Sequence, residues 1–109
     1  MKHFLKIKDG KVINSLVLND SDAMTETQGQ DFIKDVLRKD GLWLQTCPDC
    51  SIRGNHGGIG MFYDSEKDVF YHKQNHASWT LDDNGKWQPP TPRPSDQAFW
   101  DEENQSWIV

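Results

Sequence analysis

A chain of 109 residues fits one compact domain, or one very small domain with an attached tail, and excludes two large domains. Hydrophobic residues make up 35% and mean hydropathy is −0.82, so the core must be small; five tryptophans partly compensate, because each ring buries a large area. A net charge of −5 and a pI near 5.2, with no clustered Lys or Arg, argue against a nucleic-acid partner, whose phosphates call for a basic surface.

Met1-Lys2-His3 leads into a mixed strand rather than a signal-peptide core, and no run approaches the roughly 18 apolar residues of a membrane span. The expectation is a protein made and kept in a cytosol, with no membrane partner. The segment from Phe4 to Leu18 reads as two strands around the turn Asp9-Gly10, which supplies the positive φ angles of a tight hairpin. In the second strand Val12, Leu16 and Leu18 alternate while Ile13 and Val17 fall out of phase, so a bulge or two-sided burial is expected. After a polar stretch from Asn19 to Gln30, the spacing of Phe32, Ile33, Val36 and Leu37 predicts a short helix packed on the hairpin. Thr25 or Thr27 could cap its start, Arg38 and Lys39 suit its negative end, and Gly41 suits its stop. Leu42 to Thr46 resembles a strand, completing a β-β-α-β core. From Cys47 to Gly60, Gly54, Gly57, Gly58 and Gly60 interrupt any regular element and predict a structured loop.

The last third holds an internal repeat. Tyr63-Asp64 returns to Phe70, Leu81-Asp82 to Trp87, and Trp100-Asp101 to Trp107, each across a polar turn. An Asp can bind backbone amides across such a turn, and the flanking apolar side chains can meet across the hairpin. Three small hairpins are expected, with the polyproline-type segment 89–94 as a stiff spacer between the second and third. The expected fold class is therefore α+β and β-rich. Residues 1–60 form a small hairpin-helix-strand domain, and residues 61–109 form an extended arm of short aromatic β-hairpins.

The strings His3-Phe4-Leu5-Lys6-Ile7, Trp43-Leu44-Gln45-Thr46, Arg53-Gly54-Asn55, Gly57-Gly58-Ile59-Gly60, Tyr63-Asp64 to Val69-Phe70, and Ser78-Trp79-Thr80-Leu81-Asp82 to Trp87-Gln88-Pro89-Pro90 carry a likeness over nearly the whole chain. In them the sequence resembles a family of short proteins of marine tailed phages, including cyanophages. The resemblance implies phage origin more firmly than it implies a role. Members of that family carry Ser-Tyr-Asn-like residues where this chain has Cys47-Pro48-Asp49-Cys50, which argues against a family-wide redox or metal role for the cysteines.

Cys47 and Cys50 have the C-x-x-C spacing of thiol-disulfide enzymes and of half a zinc site, but the glycine-rich sequence after them cannot continue as the helix a redox pair needs. A zinc set would add two of His56, His72 and His76; the spacing is loose, and ordinary thiols or a local disulfide account for the pair. The acidic turns at 64–68, 82–85 and 101–104 lack the pattern of a calcium loop, and the glycines at 54–60 lead into no phosphate-binding motif. No catalytic residue and no cofactor are expected. The aromatic residues either staple weak hairpins or dock against a partner. The candidate partner-binding residues are Trp79, Trp87, Trp100, Trp107, Phe70 and Tyr71. The expected function is a non-enzymatic virion accessory, decorating the capsid or associated with tail or fibre, present in multiple copies and bound to phage structural proteins. Its alternatives are a carbohydrate- or receptor-binding module of a tail fibre, and a zinc or redox host-takeover protein.

Overall fold

The computed structural model describes residues 1–49 and 51–109. Strands β1 (Lys2–Lys8) and β2 (Lys11–Leu18) form an antiparallel hairpin reversed by Asp9 and Gly10, whose φ angles of 54° and 74° give the left-handed turn that matches strand twist. The register slips between Lys6 and Ile7, which is the expected bulge; Val12 and Leu18 are buried while Ile13 and Val17 face solvent. On β1, the neighbours Phe4 and Leu5 are both buried. Neighbouring strand residues point to opposite faces, so the sheet is covered on both sides.

Helix α1 (Glu26–Asp35) covers one side. Its first turn is closed reciprocally: the Gln28 amide donates to Thr25 Oγ1 at 3.1 Å, and the Met24 amide donates to Gln28 Oε1 at 2.7 Å. The helix thus begins at the cap expected of Thr25, and it stops earlier than the apolar spacing suggests. Arg38 takes a left-handed φ of 55°, and the Lys39 amide closes on the Ile33 carbonyl at 3.0 Å, a C-terminal stop made without Gly41. Val36 and Leu37, expected on the packed face, lie beyond the helix and are 61% and 39% exposed. Ile33 is fully buried and packs with Phe4, Leu18, Ala23 and Trp43.

Strand β3 (Leu42–Thr46) pairs with β1 at the sheet edge. Its outward backbone groups are plugged by side chains: Gln30 Nε2 donates to the Trp43 carbonyl (2.7 Å), the Gln45 amide to Glu26 Oε2 (2.7 Å), and Arg53 Nη1 to the Gln45 carbonyl (2.8 Å). On the other side of β2 come β4 (Phe62–Asp64) and β5 (Val69–Tyr71), giving one sheet of order β3-β1-β2-β4-β5. The first aromatic hairpin, expected in the arm, therefore belongs to the sheet, and residue 60 falls between strands of a single sheet. Its Phe70 joins Leu5, Ile7, Val12, Leu44 and Met61 in the core of the second face.

Two further hairpins, β6 (Thr80–Leu81) with β7 (Trp87–Gln88) and β8 (Phe99–Asp101) with β9 (Ser106–Ile108), form separate two-stranded sheets. The protein is a β-rich α+β fold, elongated at 54 × 25 × 20 Å. Among the described residues no helix is long and apolar enough to cross a membrane.

Candidate interaction surface of the aromatic hairpins

The repeat seen in the sequence is a repeat in space. Tyr63 faces Phe70, Leu81 faces Trp87, and Trp100 faces Trp107 across their hairpins. The first and third pairs bring ring centroids to 5.4 and 5.2 Å. In each turn the repeated Asp accepts backbone N–H bonds. Asp64 Oδ1 takes Glu66 and Lys67 (2.9 and 3.1 Å), Asp82 Oδ1 takes Asn84 and Lys86 (2.9 and 2.8 Å), and Asp101 Oδ1 takes Asn104 (3.3 Å). At Asp82 and Asp101 these bonds favour the ionised carboxylate. The Lys86 amide first, with Gln88 and Asn84, holds Asp82 below the usual carboxylate range, and Asn104 does the same for Asp101.

The likeness extends beyond the sequence motif. Two residues before each leading apolar residue, an amide closes a tight turn: Met61 on Gly58 (3.1 Å), Trp79 on His76 (3.1 Å) and Ala98 on Ser95 (3.2 Å). Trp87 Nε1 donates to the His72 carbonyl at 2.8 Å and Trp107 Nε1 to the Thr91 carbonyl at 2.7 Å. Both acceptors lie nine residues before the leading apolar residue of their own hairpin. Each closing tryptophan thus clamps the linker that delivers its own hairpin. In the third repeat that linker is the polyproline segment, and Arg93 also stands over the Trp107 ring at 5.8 Å.

The hairpins are joined in a row. Buried Asn55 rivets the second to the sheet: its Nδ2 donates to the carbonyls of Phe70 (2.7 Å) and Gly85 (3.0 Å), and Lys86 Nζ donates to its Oδ1. Backbones approach closely here. A Cβ on Gly54, whose φ is +71°, would lie 2.0 Å from the Asn84 carbonyl oxygen. The second hairpin joins the third through Trp79, whose ring meets Trp100 and Trp107 at 5.8 and 6.0 Å, and through Glu102. Glu102 Oε1 accepts from Ser78 Oγ at 2.6 Å and from Trp100 Nε1 at 3.1 Å, and the Ser78 hydroxyl first, then the Trp100 indole, lowers the pKa of that carboxyl.

The proposed partner-binding residues separate into two kinds. Phe70 is fully buried in the core and cannot meet a partner, a correction explained by its place on β5 inside the large sheet. Tyr71, Trp79, Trp87, Trp100 and Trp107 are half-buried. Tyr71 stands edge-on to Trp87 at 6.0 Å, and Trp79 Nε1 is buried within the ring cluster with no acceptor among the described residues. The most exposed aromatic of the row, Phe99, is 73% exposed and faces Ile108, itself 54% exposed. The equivalent pair of the first hairpin, Phe62 and Tyr71, is half-buried with its rings stacked at 5.6 Å.

The zinc candidates are dispersed in role. His56 stands edge-on to His3 at 5.4 Å, with its Nδ1 3.3 Å from Thr46 Oγ1, whereas exposed His72 offers its carbonyl to Trp87 and His76 packs on Trp79 at 5.0 Å. Cys47 is half-buried and its side chain, with Ser51, holds the Asp49 carboxyl down at about 2. Among the described residues no three His, Cys, Asp or Glu side chains converge as metal ligands; Cys50 lies outside the described residues.

Three joints escaped the sequence reading. Asn55 is one and Glu102 another. The third is Arg53, which binds Glu26 through both terminal nitrogens (2.6 and 3.1 Å) and Asp68 through Nε (2.8 Å). Burial opposes the charge of that guanidinium, yet Glu26 and Asp68 outweigh it and raise its pKa. All three act through contacts 15 to 30 residues or so away in sequence, and the only local hint was a polar pair flanking Gly54. No protein-family model, curated protein or solved structure matches the chain.

Proposed function

We propose that the chain is a non-enzymatic docking module, a structural accessory of the virion of a marine tailed phage. In this reading it decorates the capsid or joins the tail or fibres, in multiple copies, by protein–protein contact. One observation carries the docking part: Phe99 and Ile108 sit side by side on one face of the last hairpin, 73% and 54% exposed, where the matching face of the first hairpin is half-covered. Aromatic residues are enriched in interface cores, and here one stands exposed beside a second apolar side chain. The phage part rests on the sequence resemblance. Mass spectrometry of purified particles, quantified against the major capsid protein, tests it. Stoichiometric copies indicate capsid decoration, a few to tens indicate tail or fibre, and absence sinks the virion reading and returns attention to Cys47.

A second reading, a carbohydrate-binding module, is favoured by a cleft of about 170 Å³ lined by Asn75, His76, Trp79 and Trp87, which combines ring faces with polar groups. Glycan-array binding lost on Trp87→Ala supports it, and an array with no signal removes it.

A further inference from the structure

The two ends of the molecule are chemically complementary. At one end an open groove of about 640 Å³ runs between the end of α1 and the start of β3, lined by Gln30, Asp31, Lys34, Arg38, Lys39, Asp40, Leu42 and Trp43. A second depression beside it adds Lys6 and Asn14. The groove gathers four cations, Lys6, Lys34, Arg38 and Lys39, against the carboxylates of Asp31 and Asp40, and Asp40 is already paired with Lys6 at 3.0 Å. This is a local positive excess in a chain of net charge −5. Its apolar lining residues are Leu42, the first of β3 and 50% exposed, and buried Trp43.

At the other end is the third hairpin. Residues 99–109 contain Asp101, Glu102 and Glu103 and no Lys or Arg; the nearest base, Arg93, is occupied over Trp107 and on the carbonyls of Asp96 and Ala98. Beside this acidic turn lie Phe99, Ile108 and Val109, at 73%, 54% and 90% exposure. The groove borders β3, at the edge of the sheet opposite β5, while the hairpins continue from the β5 side. The third hairpin does not pack on α1 or β3 of its own chain.

We propose that copies of this chain associate head to tail, the third hairpin of one copy seated in the α1–β3 groove of the next. The contact rests on the docking reading above and names its partner as a second copy. Apolar side chains of the hairpin cover Leu42, while the 101–103 turn meets Lys34, Arg38 and Lys39. Such a contact is heterologous, using two different patches, so it propagates into rings or filaments rather than stopping at a dimer. Its charged component makes it weaken with salt.

Sedimentation velocity of the full chain across a wide concentration range gives the first test. Growth beyond dimer, reduced at high salt, is expected. Two variants give the decisive one: a groove variant, Lys34→Glu with Arg38→Glu, and a hairpin variant, Phe99→Ser with Glu103→Lys. All four side chains are exposed, so folding is preserved and checked by near-UV circular dichroism. Each variant alone loses association at least about tenfold, the scale of a close interfacial charge pair. Mixed, they form a one-to-one complex and stop there, because each retains the face that the other lacks. A wild-type chain monomeric at all concentrations overturns the proposal. So does a dimer abolished by the hairpin variant and untouched by the groove variant, which assigns the hairpin to a two-fold contact. A monomer found in purified particles overturns the head-to-tail contact while leaving the virion reading standing.

Discussion

Residues 1–71 and 72–109 are built from the same hairpin unit, yet they are held by different forces. In the first region the hairpin of β4 and β5 adds to a five-stranded sheet, and its closing aromatic, Phe70, is fully buried among Leu5, Ile7, Val12, Leu44 and Met61. In the second, the closing aromatics Trp87 and Trp107 stay half-buried and fasten their hairpins by indole N–H bonds to linker carbonyls. Phenylalanine has no such donor. The difference between Phe and Trp at one repeat position follows the difference between a hairpin absorbed into a core and a hairpin that must clasp its own linker.

The comparison breaks most visibly at Phe70. Phe70→Ala removes a fully buried ring and costs about 3–5 kcal/mol, seen as an earlier urea midpoint by circular dichroism. The backbone carbonyl of residue 70 that Asn55 binds is kept, so the second hairpin loosens only as far as β5 itself shifts. The seam itself is tested by Gly54→Ala. A left-handed residue with a side chain costs about 1–2 kcal/mol from the backbone alone, and the added Cβ also collides with the Asn84 carbonyl. Hydrogen exchange should then show amides of residues 80–88 opening while β1, β2 and β3 remain protected.

Trp100→Ala sharpens the other side. It removes two ring contacts, to Trp79 and Trp107, at about 0.5–1.5 kcal/mol each, and leaves the sheet untouched. The expected result is two separated transitions, an early one in tryptophan fluorescence and an unchanged one in far-UV circular dichroism. A single shared transition would show that the two regions fold as one unit.

What the sequence disclosed follows the range of the forces involved. The Asp9-Gly10 hairpin, strand β3 and all three aromatic hairpins were legible, because turn chemistry and cross-strand pairing act over a few residues. The end of α1 was not. Val36 and Leu37 continue the apolar spacing past a stop that is set by the left-handed backbone of Arg38, a residue type with no preference for that conformation. The absorption of the first hairpin into the sheet was hidden too, since Lys11 pairs with Phe62 across some fifty residues of chain. Of the interaction surface, the tryptophans were visible as a pattern, whereas the exposed pair Phe99 and Ile108 and the basic groove emerge only once the elements are packed.

The smallest effect separates the hairpins by their turns. Asp101→Ala deletes the acceptor for the Asn104 amide and side chain, and its small loss of stability should be confined to the third hairpin. Acid reaches the same groups. Asp82, Asp101 and Glu102 all have folded-state pKa values below their ordinary ones, so the stability they contribute is complete above the unfolded carboxylate range of about 4 and drains away as pH falls through the folded values. Asp68 follows the same sign, held down by the Tyr63 hydroxyl and by Arg53, but its strand pair is also supported by buried Phe70 and Val69. Acidification should therefore release the second and third hairpins before the sheet, with tryptophan fluorescence changing at higher pH than the far-UV signal. In Asp101→Ala the fluorescence change should come at milder acidity still, and its coincidence with the sheet transition would mean that the aromatic row, rather than its turns, holds the two hairpins together.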